Sequence, residues 1–225
     1  MTTEKKIYWG VGIFSVVIIF GSFLIPGDRP DREDLPWHIE HPAPNAVKVF
    51  GLTLGQSKLG DAETRFKEEG EPSLFKSPAG ALSAELFFEQ INLAGLRSRV
   101  VLTADIPDAE LKVMYERGLR MAGTGSGKKI TLTPDDISIL RNAPISSLTY
   151  MPGVRVDETL FLKRFGEPAQ VIKEEKHGTT HWLYPQHGLD ITMGEGEKPI
   201  LQYVSPTEFD KLVKPLQAQT AASTK

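Results

Sequence analysis

The sequence predicts an α+β protein: an N-terminal transmembrane helix, then two tandem helix-plus-antiparallel-sheet repeats with a helical insert between them. Three observations predict it. Ile7 to Ile25 carries no charge over nineteen residues. The stretch Leu52 to Pro72 recurs without a gap at Leu148 to Pro168, with seven of twenty-one positions identical: Leu52/Leu148, Thr53/Thr149, Asp61/Asp157, Lys67/Lys163, Gly70/Gly166, Glu71/Glu167 and Pro72/Pro168. Each copy then runs into segments whose apolar residues alternate as in half-buried strands.

As a helix, Ile7 to Ile25 would span about 28 Å, close to a bilayer's hydrocarbon thickness. A cleaved secretory signal would have a shorter apolar core and a small-x-small site, which Ser22-Phe23-Leu24-Ile25-Pro26 lacks. An uncleaved signal anchor is therefore expected, after a short lead that ends in Lys5 and Lys6. The expected setting is a bacterial inner membrane, amino terminus cytoplasmic and main domain periplasmic. Residues 26–46 contain Pro26, Pro30, Pro36, Pro42 and Pro44 among charges and are read as a stiff, solvated linker.

In the first repeat, residues 47–104, Ser57 to Glu69 reads as a helix with Leu59, Ala62 and Phe66 on one face, stopped by Gly70 and Pro72. Leu82, Ala84, Leu86 and Phe88 and then Ser98, Val100, Leu102 and Ala104 form the apolar faces of two strands, with a turn near Asn92 to Gly95. The insert, residues 105–147, opens with an amphipathic helix from Asp108 to Met121, whose apolar positions are Leu111, Met114, Tyr115, Gly118, Leu119 and Ala122. A second short helix begins at Thr133 as N-cap with Pro134 in the first turn. In the second repeat, residues 148–216, Asp157 is the expected N-cap of a helix that Gly166 and Pro168 end. His181 to Tyr184, Leu189 to Met193 and Ile200 to Val204 are the expected strands. The tail, 217–225, lacks periodicity and is read as disordered.

A helix with a Gly-x-Pro exit, followed by a meander with Trp182-Leu183-Tyr184, a Gly188-Leu189 turn and a final apolar strand, resembles the helix-plus-sheet fold of the SmpA/OmlA (BamE) lipoproteins. Two such units in tandem also resemble the beta-lactamase inhibitor protein family. The resemblance covers about residues 47–104 and 148–216. It implies an envelope protein that binds other proteins, and it brings no catalytic residues. The chain departs from it in having no lipobox cysteine and in carrying the long insert.

Composition narrows function. A net charge of −3 offers nucleic acid no general attraction, and the absence of cysteine excludes thiolate metal sites and a cysteine nucleophile. Gly123-Thr124-Gly125-Ser126-Gly127-Lys128-Lys129 brushes against a phosphate-binding loop. However, Lys129 stands where Ser or Thr would bind magnesium, and the order is helix, loop, strand. No nucleotide is expected. Gly125, Gly127, Lys128 and Lys129 remain a candidate anion- or partner-binding loop within a flexible connector.

His38 and His41 lie in the linker, His187 in a turn, and His177 and His181 at a turn leading into a strand, so no metal or other cofactor is expected. No hydrolase signature is present, and no catalytic residue is assigned. Trp182, Tyr184 and Tyr203 are the candidate partner-binding residues, on the idea of an exposed aromatic sheet face; core packing is the competing reading. The expected function is a membrane-anchored adaptor or envelope-assembly accessory protein that binds another envelope protein. The alternative is a membrane-tethered hydrolase or ligand-binding enzyme acting on cell-wall or lipid substrates, with His181, Glu174 and Lys128 as its first suspects.

Overall fold

The structure is a computed structural model that describes residues 31–125, 127–174 and 178–223. Along Leu96–Ala104 (β5), Ser98, Val100, Leu102 and Ala104 are buried while Arg97 and Arg99 are exposed. Ile145–Pro152 (β8) likewise buries Leu148, Tyr150 and Pro152. Two half-buried strands are satisfied together only when their apolar faces coincide, and the register Val100↔Tyr150 and Leu102↔Leu148 does that.

The remaining elements assemble outward from this pair. In chain order they are β1 (Lys48–Val49), β2 (Leu52–Thr53), α1 (Leu59–Phe66), β3 (Glu71–Lys76) and β4 (Leu82–Leu93) before β5. After it come α2 (Asp108–Glu116), β6 (Arg120–Thr124), β7 (Gly127–Thr131) and α3 (Pro134–Asn142). Beyond β8 follow α4 (Glu158–Phe165), β9 (Gln170–Glu174), β10 (Thr179–Tyr184), β11 (Leu189–Gly194), β12 (Ile200–Val204) and α5 (Phe209–Ser223). Ten strands form one antiparallel sheet in the order β6-β7-β3-β4-β5-β8-β12-β11-β10-β9, while β1 and β2 pair separately.

This corrects the predicted fold class. The architecture is dominated by a single large antiparallel sheet, not by two tandem helix-plus-sheet units, and no helix among the described residues is long and apolar enough to cross a membrane. Ile7 to Ile25, on which the anchor was expected, lies outside the described residues. The repeated Leu-Thr dipeptide shows where the repeat reading fails. Leu148-Thr149 sits inside a central eight-residue strand, whereas Leu52-Thr53 is a two-residue strand flanked by Gly51 and Gly55, both at positive φ. Those glycines turn the chain before a longer strand can form.

The insert is not purely helical either. The helix expected to reach Met121 ends at Glu116, and Leu119 and Met121 are exposed. The chain then enters the β6–β7 hairpin, so Gly123, Thr124 and Gly127 to Lys129 are strand where a flexible connector was expected. Gly118 marks the change, because a Cβ there would lie 2.3 Å from Ile130 Cγ2.

At the end of α1 the left-handed residue is Lys67 (φ 56°), not Gly70. Gly70 is needed for another reason, since a Cβ would meet Leu86 at 2.5 Å. The chain expected to be a solvated linker packs on the domain from Arg32 onward, where Pro36, Ala46 and Val47 are buried. We call residues 32–49 the strap. Helix α5 runs to Ser223, through residues expected to be disordered.

One sheet face carries the main core. Leu86, Phe88, Val100, Leu102, Leu148, Tyr150, Leu201 and Tyr203 meet side chains from α1 to α4 and the strap there. On the opposite face α5 alone forms a second cluster, with Phe209 and Val213 against Ile172, Leu183 and Val204. Tyr203 is fully buried, and its hydroxyl donates to the Pro36 carbonyl oxygen at 2.8 Å, tying the strap to the last strand. Replacing Tyr203 by Phe orphans that carbonyl, and the expected loss in denaturant unfolding is about 1–2 kcal/mol.

Candidate functional site

The residues singled out in the sequence disperse through the structure. Tyr184 and Tyr203 are completely buried and Trp182 is half-buried against the main core. The Tyr184 hydroxyl donates to the Gly166 carbonyl at 3.0 Å, and burial together with the Glu167 charge pushes its pKa up to about 12. Both tyrosines are therefore core residues and offer a partner no surface.

Gly125, Gly127, Lys128 and Lys129 lie in the β6–β7 hairpin at one edge of the sheet. There the backbone of Lys128 and Lys129 is in register with Lys76 and Phe75, and Lys129 Nζ is held by Glu71 at 2.6 Å. Gly127 (φ 145°) permits the close approach to β3, where a Cβ would lie 2.3 Å from the Lys76 carbonyl oxygen. The hairpin is fitted to pairing rather than to cradling an anion.

The three enzyme suspects are split. Lys128 is on β7, near one end of the strand order, while His181 and Glu174 are at the other. There, His181 Nδ1 donates to Asp190 Oδ2 at 2.8 Å and lies 3.2 Å from Thr192 Oγ1, and Glu174 Oε2 stands 3.8 Å from Nε2. The sequence reading missed Asp190, although the β10–β11 register places it two residue pairs along from His181, on the same sheet face.

His181 is 7% exposed, and its Nε2 has no hydrogen-bond partner. The Asp190 hydrogen bond raises its pKa against the opposing effect of burial, helped by the charges of Asp190 and Glu174. The group is a buried ion pair that ties β10 to β11, with Glu174 bringing in β9. A histidine whose folded pKa is raised contributes stability that is complete below about pH 6.5 and disappears as the pH rises through the folded value. The thermal midpoint is expected to fall as the pH rises above about 6.5, by an amount that His181→Gln removes; an identical slope in the variant would assign the pH effect elsewhere.

The feature with the shape of a binding site is an apolar cavity of about 240 Å³ on the core side of the sheet. Three irregular segments wall it. The strap supplies Trp37, whose ring lies 4.7 Å beneath the Arg164 guanidinium of α4. The β4–β5 turn supplies Leu93 and Leu96, and the loop after β8 supplies Val154. Tyr150 and Phe161 form part of its floor.

At the mouth, Leu96 and Val154 are 40% and 43% exposed, large apolar groups facing water. Charges stand around them: Asp34, held by Arg65 at 2.8 Å, then Arg155, and Asp157, which caps α4 by accepting from the Thr159 amide at 2.8 Å. An engineered apolar cavity of about 150 Å³ holds benzene, and drug-sized ligands need about 300 Å³ or more. This one matches a single aromatic or branched aliphatic side chain.

Local backbone chemistry sets the mouth. Ala94 (φ 52°) and Gly95 (φ 82°) form the two-residue hairpin turn between the paired Leu93 and Leu96. Glycine or asparagine usually occupies the first of these positions, and alanine there costs about 1–2 kcal/mol. Across the mouth, Gly153 donates its amide to the Arg97 carbonyl at 2.8 Å, and a Cβ would lie 2.2 Å from that oxygen. Only glycine lets the loop come close enough to set Val154 opposite Leu96.

No protein-family model, curated protein or solved structure matches the chain. Function must therefore be argued from the site itself. Ala94→Gly is expected to raise stability by about 0.5–1 kcal/mol in thermal or denaturant unfolding, because relief of the left-handed strain exceeds glycine's entropic cost.

Proposed function

We propose that the protein is a binding module, an adaptor that recognises another protein by taking one of its apolar side chains into the cavity between Trp37, Leu96 and Val154. The observation that carries this reading is the exposure of Leu96 and Val154 at the mouth of an apolar cavity sized for a side chain. Binding energy at protein interfaces concentrates in a few apolar or aromatic anchors that fill pockets inside a polar rim, and Asp34, Arg155 and Asp157 provide such a rim. A catalytic reading finds less support. The cavity wall holds no histidine or lysine, and His181 and Glu174 lie outside it. The cellular setting we propose is the cell envelope; the apolar sequence of residues 7–25 is its sole support.

The experiment is site-specific photocrosslinking in intact cells. A photoreactive phenylalanine analogue at position 96 or 154 is expected to capture one predominant protein, and the same probe at exposed Lys173 to capture none. Leu96→Asp combined with Val154→Asp should reduce co-purification at least tenfold with the thermal midpoint unchanged, the effect of losing about 1.4 kcal/mol or more of binding. Capture of lipid alone, or undiminished co-purification with the double variant, overturns the adaptor reading.

A further inference from the structure

His41 in the strap and His187 in the turn between β10 and β11 are 146 residues apart in sequence, yet their rings lie nearly parallel, 17° between planes, with His41 Nε2 3.3 Å from His187 Nδ1. That distance is long for a hydrogen bond between two nitrogens. It is also the edge of a tetrahedron around a metal with nitrogen ligands at about 2.0–2.1 Å, about 3.3–3.4 Å. The ring centroids, 5.6 Å apart, place the two nitrogens nearly in line, so each ring turns by about 35° to aim at a shared ion. We infer that His41 and His187 form a site for a divalent transition-metal ion of the imidazole-preferring class, zinc, nickel or copper, which fastens the strap to the β10–β11 turn.

The hydrogen-bond pattern around the pair fits ligation. His41 Nδ1 lies 3.0 Å from the Ala46 carbonyl oxygen. A carbonyl only accepts, so Nδ1 carries the proton and Nε2 presents its lone pair towards His187. Fixing the far nitrogen of a ligating histidine against a backbone carbonyl is the usual way its ring is oriented.

His187 Nδ1 becomes a ligand in the tautomer whose proton is on Nε2, so with both rings neutral the ion displaces no net proton. His41 is exposed and His187 half-buried, so an ion reaches them from solvent. The final ring torsion of histidine is broad enough to turn both lone pairs onto one point.

Among the described residues no third histidine or carboxylate completes a cluster. The ion's remaining positions therefore belong to water. The mechanical consequence follows from the strap: Tyr203 holds it at Pro36, and the metal would hold it five residues further on. The inference does not depend on the proposed function.

The test is Co²⁺ and Zn²⁺ titration of the full chain at pH 7.5, followed by isothermal calorimetry and, for Co²⁺, visible absorption. One equivalent should bind, with His41→Ala and His187→Ala each weakening it at least tenfold and His177→Ala and His38→Ala leaving it unchanged. Saturating Zn²⁺ should raise the thermal midpoint of the unsubstituted protein by about 5 °C and that of neither pair variant. Should a variant fail to fold, diethylpyrocarbonate labelling of the unsubstituted protein gives the answer, since Zn²⁺ should protect His41 and His187 together and leave the other histidines as reactive as before. Absence of stoichiometric binding at 1 mM metal, equal binding by the pair variants, or protection of a different pair overturns the inference.

Discussion

The pairing of β5 with β8 is the constraint on which the structure depends. Each strand buries alternate residues, and the register Val100↔Tyr150 and Leu102↔Leu148 brings the two apolar rows to one face. A slip of one strand by one residue would turn its apolar row to the face opposite its partner's, so the register is strongly specified. Once it is set, β4 and β12 extend the same row outward on either side, and four helices and the strap have one surface on which to bury their apolar sides. Helix α5 is the exception: its partners Leu183 and Val204 point to the other face because they alternate with Tyr184 and Tyr203.

The strap is the second structural theme, because it packs on the core side of the sheet beside β8 and β12. Phe50 packs on Tyr150 at 5.0 Å and lies edge-on to Tyr203 at 6.2 Å, at the end of a segment whose carbonyl at Pro36 is held by the buried Tyr203 hydroxyl. Lys48 pairs with Glu33 and Glu40, and Asp34 with Arg65, so the strap is also knotted electrostatically to itself and to α1. Its surface ion pairs are each worth little, and the buried contacts set its position.

Legibility in the sequence followed the range of the interactions. The helix beginning at Pro134 was readable because Thr133 accepts from the Asp136 amide three residues on, and β10 to β12 were readable because their alternation is local. The joining of the two copies into one sheet was not, since nothing local to Leu148 states that it faces Leu102. Leu119 and Ala122 mimicked a helical stripe by chance and proved to be exposed beyond the helix end. The cavity escaped notice because three loops build it. Its signal was present all the same: Leu93, Leu96 and Val154 are large apolar residues at turns, where polar ones would be usual. The contact between His41 and His187 leaves no trace at all in a sequence that separates them by 146 positions.

The strap makes the cavity and the histidine pair parts of one device. Trp37 is a wall of the cavity, and His41, four residues later, is held at Ala46 and His187. Ordering this short segment from either end restricts the same backbone torsions. On these two proposals, a group that filled the cavity against Trp37 would lower the entropy still to be lost when His41 is fixed, and fixing His41 would do the same for the cavity. Linkage requires that these two effects be equal as free energies. The magnitude depends on how far the strap moves when neither end is occupied, and the Tyr203 hydrogen bond at Pro36, next to Trp37, limits that motion. On the proposed function, the buried Tyr203 contact beside Trp37 would lessen the binding energy spent on ordering the cavity wall, which is how preorganisation raises affinity.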